Sequence, residues 1–288
     1  MRLVRFDDAG KTRLGVVRDS EIIPLDTLEA RYPTMLSIVA GGGDALREIA
    51  VIRDAGADAL PLDQATLLAP IERPGKYLAI GMNYRKHIEE AKKLGVDTPK
   101  NQFWFNKQTS CITGPFADTD PGVSAALDYE VELGVVIGKP AKGASRDQAR
   151  DHVFGYLVCN DVSARDWQQH SPTFTVGKSF DTHGPIGPWI VTADEIADPH
   201  TLRLRCYVNG ELRQDGNTDQ LVYDIWDQIS YLSTAFTLES GDLIATGTPN
   251  GVGAAMSPPS FLQPGDVVRC EIDGVGVIEN RVVANAAH

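Results

Sequence analysis

Three acidic residues alternate with apolar ones in a stretch that then becomes wholly apolar. Asp128, Glu130 and Glu132 are separated by single apolar residues, and a β-branched run follows at residues 135–137. Successive side chains of a strand point to opposite faces, so the alternation predicts a strand, running to Gly138, with three carboxylates on one face. Neighbouring carboxylates would lie about 7 Å apart along it. In a buried strand they would repel one another and lose hydration, so that face is either open to water or occupied by a cation.

An isolated pair of alternating glutamates usually marks the wet face of an antiparallel strand. Here the stretch continues into an apolar run that looks buried on both faces, which favours the bound cation. Carboxylate oxygens are the ligands of hard divalent cations. The pattern therefore indicates a divalent metal site.

The chain as a whole has an ordinary globular composition with an acidic balance. Its 288 residues are 42% hydrophobic and 23% charged, which allows a main domain and a small one. A net charge of −12 argues against nucleic acid or an anionic membrane surface as a partner. The four cysteines form no C-x-x-C pair, which fits a reducing cytosol. No signal peptide or membrane-spanning run is evident, so we expect a cytoplasmic protein.

Prolines and glycines divide the chain near residue 70. Those between residues 61 and 75 separate short strands and mixed helix from the remainder. We therefore predict a small α+β N-terminal domain over residues 1–70 and a main domain over residues 71–288. In the main domain, Asn209-Gly210 predicts a two-residue hairpin turn.

A charged helix follows the first strand of the main domain. Asn83 is placed to cap it and Gly95 to end it. His87 and Glu90 stand three residues apart and share one helix face. A carboxylate beside an imidazole fixes its tautomer and raises its basicity, which suits a general base. Surface pairs of this kind are also frequent, so the pair alone does not identify a site.

Three further segments carry candidate residues, each with a structural alternative. Asp161 ends a buried apolar strand, where it is either a metal ligand or the N-cap of the next turn. Lys178 lies in a Gly-Lys-Ser sequence that is not a P-loop, because Pro172 stands where that motif needs glycine. This lysine is either solvated or directed at a substrate oxygen. The glycine-rich stretch 247–253 is either a tight loop or a backbone cradle for a carboxylate or oxyanion.

Five segments of the main domain match, in order and spacing, the motifs of one known family. They are Gly81-Met82-Asn83-Tyr84 with His87 and Glu90, Asp128-Tyr129-Glu130-Val131-Glu132-Leu133, Asn160-Asp161 with Ala164-Arg165-Asp166, Gly177-Lys178-Ser179-Phe180-Asp181, and Thr246-Gly247-Thr248-Pro249 with Gly251-Val252-Gly253. Each is weak alone, but together they resemble the fumarylacetoacetate hydrolase superfamily from about residue 77 to residue 283. The details look most like bacterial members described as ureidoglycolate lyase-like or as hydrolases of 2,4-diketo-3-deoxy sugar acids.

The resemblance implies a fold that is mostly β with some α. A mixed β-sandwich roll would form the catalytic domain, beside the small α+β N-terminal domain, usually in a homodimer. It also implies that Glu130, Glu132 and Asp161 hold Mg²⁺, with Mn²⁺ or Ca²⁺ as alternatives. Asp128 does not match a ligand position and would stand behind these three.

The resemblance assigns the remaining site residues to catalysis or to substrate binding. His87, paired with Glu90 on a lid helix, would activate a water, and Lys178 would stabilise developing negative charge. The residues that would orient the substrate are Arg165, Gln168, Thr248 and Gly247.

These expectations favour a metal-dependent hydrolase that cleaves a carbon–carbon bond in a 2,4-diketo acid, such as an acylpyruvate or a diketo-deoxy sugar acid. The same chemistry supports decarboxylation of oxaloacetate, or isomerisation or decarboxylation of an unsaturated keto diacid. A different class is a non-catalytic small-molecule-binding protein on the same fold, although such a protein needs no positioned base. The expected partners are a small keto acid and a second copy of the chain.

Overall fold

The computed structural model describes residues 1–56, 58–93, 95 and 97–284, and strands predominate in them. The α-helices are α1 (Met35–Ala55), α2 (Arg85–Lys93), α3 (Arg146–Ala149), α4 (Arg165–Gln168) and α5 (Ile225–Ala235). The strands before residue 138 are β1 (Arg2–Asp8), β2 (Lys11–Arg18), β3 (Glu21–Pro24), β4 (Leu60–Pro61), β5 (Thr66–Leu68), β6 (Tyr77–Gly81), β7 (Phe103–Asn106), β8 (Ile112–Thr113), β9 (Leu127–Asp128) and β10 (Val131–Ile137). Those after it are β11 (Val153–Asn160), β12 (Ser163–Ala164), β13 (Gly184–Thr192), β14 (Arg203–Val208), β15 (Glu211–Asn217), β16 (Leu243–Ala245), β17 (Val267–Ile272) and β18 (Gly276–Arg281).

Most of the strands join one large mixed sheet. Their order is β4-β3-β2-β1-β13-β11-β10-β16-β6-β7, with β5 on β1 and β8 on β13. The pairs β16–β6 and β8–β13 are parallel, and the other neighbours in this sheet are antiparallel. β1 pairs directly with β13, so the N-terminal segment and the main segment contribute to the same sheet. The domain boundary near residue 70 stays a prediction.

A four-stranded antiparallel sheet, in the order β15-β14-β17-β18, packs over one face of the large sheet. The core between them contains Val131, Leu133 and Val135 of β10 together with Leu204 of β14. This packing explains why alternate residues of β10 are apolar.

The opposite face of β10 packs towards the N-terminal segment. Val136 belongs to a second core that includes Leu3 of β1, Ile38 of α1 and Ile190 of β13. β10 is therefore buried on both faces, as its apolar run predicts. Every second side chain of a strand points to the same face, so Glu132 shares the face of Val136. The Glu132 carboxylate therefore lies inside the molecule.

The structure confirms one local prediction and corrects another. Asn209 and Gly210 join β14 to β15 with φ of 51° and 81°, the left-handed values of a tight hairpin turn. The strand predicted from residue 128 to residue 138 is interrupted, because β9 ends at Asp128 and pairs with β12, whereas β10 begins at Val131. No helix among the described residues is long and apolar enough to cross a membrane.

Candidate active site

Three acidic side chains meet where β10 begins and β11 ends. Val131 lies opposite Asn160, which brings Glu130 and Glu132 beside Asp161, the residue that follows β11. The Asn160 side chain accepts the Glu130 N–H at 3.0 Å, and the Asp161 N–H donates to the Glu130 carbonyl at 2.9 Å. One oxygen of each carboxylate lies within 4.8 Å of the others, and all three side chains are buried. The alternative in which the acidic face is open to water is therefore wrong. The other alternative, in which positive charge lies against the carboxylates, is the one that fits.

Two lysines and an arginine neutralise part of this negative charge. The ammonium of Lys178 donates to Glu130 and to Asp161, at 2.7 Å in each case. Arg165 donates to Glu130 at 2.6 Å, and Lys107 donates to Asp161 at 2.5 Å. Asp161 is thus held as a member of the acidic cluster, and the N-cap alternative is excluded, because Ala164 occupies the N-cap position of α4.

Glu132 forms no salt bridge with a cation of the described residues, and its Oε2 accepts the Gly247 N–H at 2.8 Å. Burial and the nearby charges of Asp161 and Glu130 raise the pKa of Glu132 well above its usual value. Burial also acts to raise the pKa of Glu130, but neighbouring cations, led by Lys178, lower it to about 2. The ionised form of Glu132 is therefore the one that the protein itself compensates least. A divalent cation held by the oxygens of the triad Glu130, Glu132 and Asp161 fits this arrangement.

His87 and Glu90 of α2 lie beside this acidic triad. His87 Nδ1 and Glu90 Oε2 are 3.0 Å apart, and the other Glu90 oxygen accepts the Gly251 N–H at 3.1 Å. At 17% and 20% exposure, the two side chains are not a free surface pair. The His87 ring is among the groups that act to lower the pKa of Glu130, so it lies within electrostatic reach of the triad. Because Nδ1 faces a carboxylate, Nε2 is the nitrogen left to accept a proton.

The residues expected to orient the substrate surround the same site, and their binding roles stay predictions. Arg165 donates from Nη1 to the side-chain oxygen of Gln168 at 3.0 Å. The hydroxyl oxygen of Thr248 accepts a hydrogen bond from Gln214 at 2.8 Å. Gly247 has a φ of 104°, which an L side chain rarely adopts, and it gives its N–H to a carboxylate of the triad. That N–H is thus already used and is not left for a substrate anion.

Asp128 stands behind the triad, as expected. Its carboxylate accepts the N–H of Gly253 at 2.8 Å, the N–H of Ala254 at 2.9 Å and Nε of Arg165 at 2.8 Å. It therefore ties the glycine-rich loop to the arginine that holds Glu130.

The sequence patterns assign no role to Lys107 or to Gln214. The Lys107 side chain is fully buried, and its ammonium donates to Asp161 and to the carbonyls of Val162 and Lys178. Gln214 is also fully buried. Neither residue stands in a recognisable spacing with its partners, so only the folded structure assigns them to the site.

The prediction that Asn83 caps α2 is wrong. Its amide nitrogen donates to the carbonyls of Tyr223 and Thr246 at 3.0 Å and 2.8 Å, and its Oδ1 accepts the Tyr223 N–H at 2.9 Å. Asn83 is fully buried. It therefore ties the start of α2 to the end of β16 and to the segment before α5.

Comparisons with known proteins cover nearly the whole chain. The family model for the C-terminal region of fumarylacetoacetate (FAA) hydrolase matches residues 76–283, and the Rv2993c-like N-terminal model matches residues 1–70. The mitochondrial oxaloacetate tautomerase fahd2 of Xenopus laevis is 44% identical over 291 residues, which cover 98% of this chain and 90% of that protein.

Two solved structures resemble the chain over its full length. A fumarylacetoacetate hydrolase from the psychrophile Exiguobacterium antarcticum has 37% identity and a TM-score of 0.86, covering 99% of both chains. The maleylpyruvate hydrolase of Sphingobium sp. SYK-6, in complex with manganese(II) and pyruvate, has 34% identity and a TM-score of 0.81, covering 98% of this chain and 99% of that one.

Proposed function

Because the chain belongs to the fumarylacetoacetate hydrolase family, we propose that it is a divalent-metal-dependent enzyme that interconverts the keto and enol forms of oxaloacetate. The observation that carries the proposal is the meeting of a buried acidic triad and the His87–Glu90 pair around one glycine-rich loop. The choice of reaction is supported by the 44% identity with an oxaloacetate tautomerase across 98% of the chain.

The proposed metal ligands are Glu130, Glu132 and Asp161. A divalent cation held there supplies Lewis-acid polarisation of the 2-oxo group and fixes its orientation. We propose Mg²⁺, with Mn²⁺ or Ca²⁺ as alternatives, because an all-carboxylate ligand set suits hard cations. The manganese in the maleylpyruvate hydrolase complex supports a divalent ion of this kind.

The proton transfer is assigned to residues of this chain. Nε2 of His87 takes the proton from carbon 3, while Glu90 holds the ring by Nδ1. The electron pair of that C–H bond forms the C2–C3 double bond, and the 2-oxo oxygen takes the proton back from Nε2 of His87 to become the enol hydroxyl, which leaves the histidine neutral again. Lys178 offsets the negative charge that develops on this oxygen, because its ammonium has a third N–H beyond those given to Glu130 and Asp161.

We further propose that the carboxylates of the substrate lie against Arg165, Gln168 and Thr248, and that Gly247 contributes indirectly, through the N–H that holds Glu132. We also propose that the protein forms a homodimer and that it is located in the cytoplasm. The net charge of −12 supports the exclusion of nucleic acid and anionic membranes as partners.

The second candidate is hydrolysis of a carbon–carbon bond in a 2,4-diketo acid, favoured by the similarity to maleylpyruvate hydrolase. In that reaction His87 takes its proton from water, and the hydroxide attacks the distal carbonyl. The bond between carbons 3 and 4 breaks, carbon 4 leaves as a carboxylic acid, and carbon 3 takes up the proton held by His87 to give pyruvate.

Ultraviolet enol absorbance and product analysis separate the candidates. Chelator-stripped protein is assayed with and without Mg²⁺ or Mn²⁺ on enol-oxaloacetate, acetylpyruvate and an unsaturated keto diacid. A metal-dependent loss of the enol that leaves oxaloacetate intact supports the tautomerase. Pyruvate and acetate from acetylpyruvate support the hydrolase, and pyruvate with CO₂ from oxaloacetate identifies a decarboxylase. No turnover of any substrate would overturn the proposal in favour of a binding protein.

A further inference from the structure

We propose that Gln214 is a positioning residue that makes the Thr248 hydroxyl a hydrogen-bond donor to an oxygen of the bound 2-oxo acid. This inference rests on the proposed function. Gln214 belongs to β15 of the small sheet, yet its side chain reaches the large sheet beside the start of β10. It is fully buried, so each of its polar atoms needs a partner within the protein.

Hydrogen bonds fix the orientation of this amide. Gln214 Nε2 donates to the Thr248 hydroxyl oxygen and to the Pro249 carbonyl, at 2.8 Å in both cases. Gln214 Oε1 accepts the Val131 N–H at 3.0 Å. The flipped amide would set a donor against the Val131 N–H and an acceptor against the Pro249 carbonyl, so only one orientation satisfies the network.

This orientation decides what the Thr248 hydroxyl can do. Since its oxygen accepts from Gln214, its own proton must point elsewhere. Thr248 is only 3% exposed, and its hydroxyl donates to none of the described residues. The neighbouring Thr246 differs, because its hydroxyl donates to the Leu133 carbonyl at 2.9 Å. Thr248 therefore keeps a nearly buried donor that a ligand oxygen can satisfy.

The position of Thr248 in the loop indicates where a ligand would lie and which kind of ligand atom would contact the hydroxyl. On one side of it, Gly247 donates to the triad residue Glu132, and on the other side, Gly251 donates to Glu90. A ligand between the metal ligands and His87 would therefore lie along this part of the loop. Its oxygen is an acceptor, either a carboxylate oxygen or the 2-oxo oxygen of a keto acid.

A double-mutant cycle tests the inference through binding. Calorimetry measures the affinity of the Mn²⁺-loaded protein for oxalate, a small dicarboxylate probe, in Thr248→Val, Gln214→Glu and the double variant. The carboxylate of Gln214→Glu still accepts the Val131 N–H, but it draws the Thr248 proton towards itself and away from the ligand. Gln214→Met serves as an uncharged second variant, and Gln228→Glu places a carboxyl at another fully buried glutamine.

We expect each single variant to weaken oxalate binding about 10-fold or more, because a hydrogen bond to a charged group is lost. Gln214→Glu should change affinity by less than about twofold when Thr248 is already valine. Affinity for Mn²⁺ alone in Thr248→Val and Gln214→Met, and oxalate binding by Gln228→Glu, should match the unmodified protein. Equal weakening by Gln214→Glu in both backgrounds, or no oxalate binding by the unmodified protein, would overturn the inference. If the cycle holds but no keto acid is turned over, only the proposed function fails.

Discussion

At the scale of single residues, His87 is the proposed proton acceptor in both candidate reactions. Its replacement by alanine should lower kcat by a factor on the order of 10²–10⁴, because the general base is lost. The metal should still bind, because His87 is not one of the three carboxylate ligands. Steady-state rates on oxaloacetate and calorimetric Mn²⁺ binding check the two halves of this prediction.

His152 provides the matched control for that experiment. Its ring bonds the Lys139 carbonyl in an exposed position, so His152→Ala should leave both kcat and metal binding unchanged. A His87→Ala variant that lost Mn²⁺, or that kept its full rate, would remove His87 from the role of base.

Lys107 contacts the same site through Asp161, to which its buried ammonium donates a hydrogen bond. Replacing it with methionine leaves Asp161 buried with Lys178 as its remaining lysine partner, which should destabilise the metal-free protein by about 3–5 kcal/mol. The site then carries more negative charge and binds a divalent cation more tightly. Thermal unfolding should show a lower Tm without metal and a larger rise on adding Mn²⁺ than in the unmodified protein.

Lys76→Met is the control, because Lys76 also pairs with a fully buried aspartate, Asp242, at 2.8 Å. Asp242 is not among the acidic residues of the site, so the Mn²⁺-induced rise in Tm should stay at the unmodified value. An equal rise in Lys107→Met and in the unmodified protein would show that Lys107 does not tune the metal site.

The sequence indicated the acidic residues of the triad, but it did not indicate the residues that support them. Glu130 and Glu132 alternate with apolar residues, and such a local pattern can be recognised from the sequence alone. Lys107 meets Asp161 across 54 residues, and Gln214 meets Thr248 across 34. Such pairings arise from the packing of strands that are distant in sequence, and no local period records them.

At the scale of elements, helix α2 depends on Asn83 for its position. Asn83→Ala removes three hydrogen bonds and leaves the part-buried carbonyl of Tyr223 and the buried carbonyl of Thr246 without this donor, at a cost on the order of 2 kcal/mol or more. The start of α2 should loosen, and His87 with it. Hydrogen exchange of residues 85–93 should become faster, and kcat should fall more than oxalate affinity.

Asn280→Ala separates this effect from a general loss of stability. Asn280 is 1% exposed and donates to the carbonyls of Gly114 and Ala117, away from α2. Asn280→Ala should lower Tm by about as much as Asn83→Ala does, but it should leave hydrogen exchange in α2 unchanged. Faster hydrogen exchange of α2 in both variants would show that Asn83 does not specifically position the helix.

The interrupted acidic strand shows that the sequence pattern predicts which way a side chain faces but not where a strand breaks. Alternation correctly predicted that Glu132 faces away from Val131 and Leu133. It did not predict the break after Asp128, because that break arises when β9 pairs with β12 while β10 pairs with β11 and β16. Strand pairing is a tertiary choice that a period of two does not encode.

At the scale of the whole molecule, the N-terminal segment and the main segment share a sheet and a core. Leu3 lies opposite Ile190 in the β1–β13 pair, and both belong to the second core with Ile38 and Val136. The sequence placed a boundary near residue 70 because prolines cluster there. Proline punctuation reports a change of local structure, and it carries no information about which strands pair across it.

We therefore expect the chain to unfold as one cooperative unit. Hydrogen exchange followed by mass spectrometry should give strands β1 and β2 the same opening free energy as β11 and β13, since neither set can open without exposing the shared core. A variant that starts at residue 71 should be insoluble or lack a thermal transition, because it uncovers one edge of β13 and the apolar face beneath α1. Two separate transitions in denaturant, or a soluble truncated protein that still binds Mn²⁺ at the triad, would show instead that the main segment folds by itself.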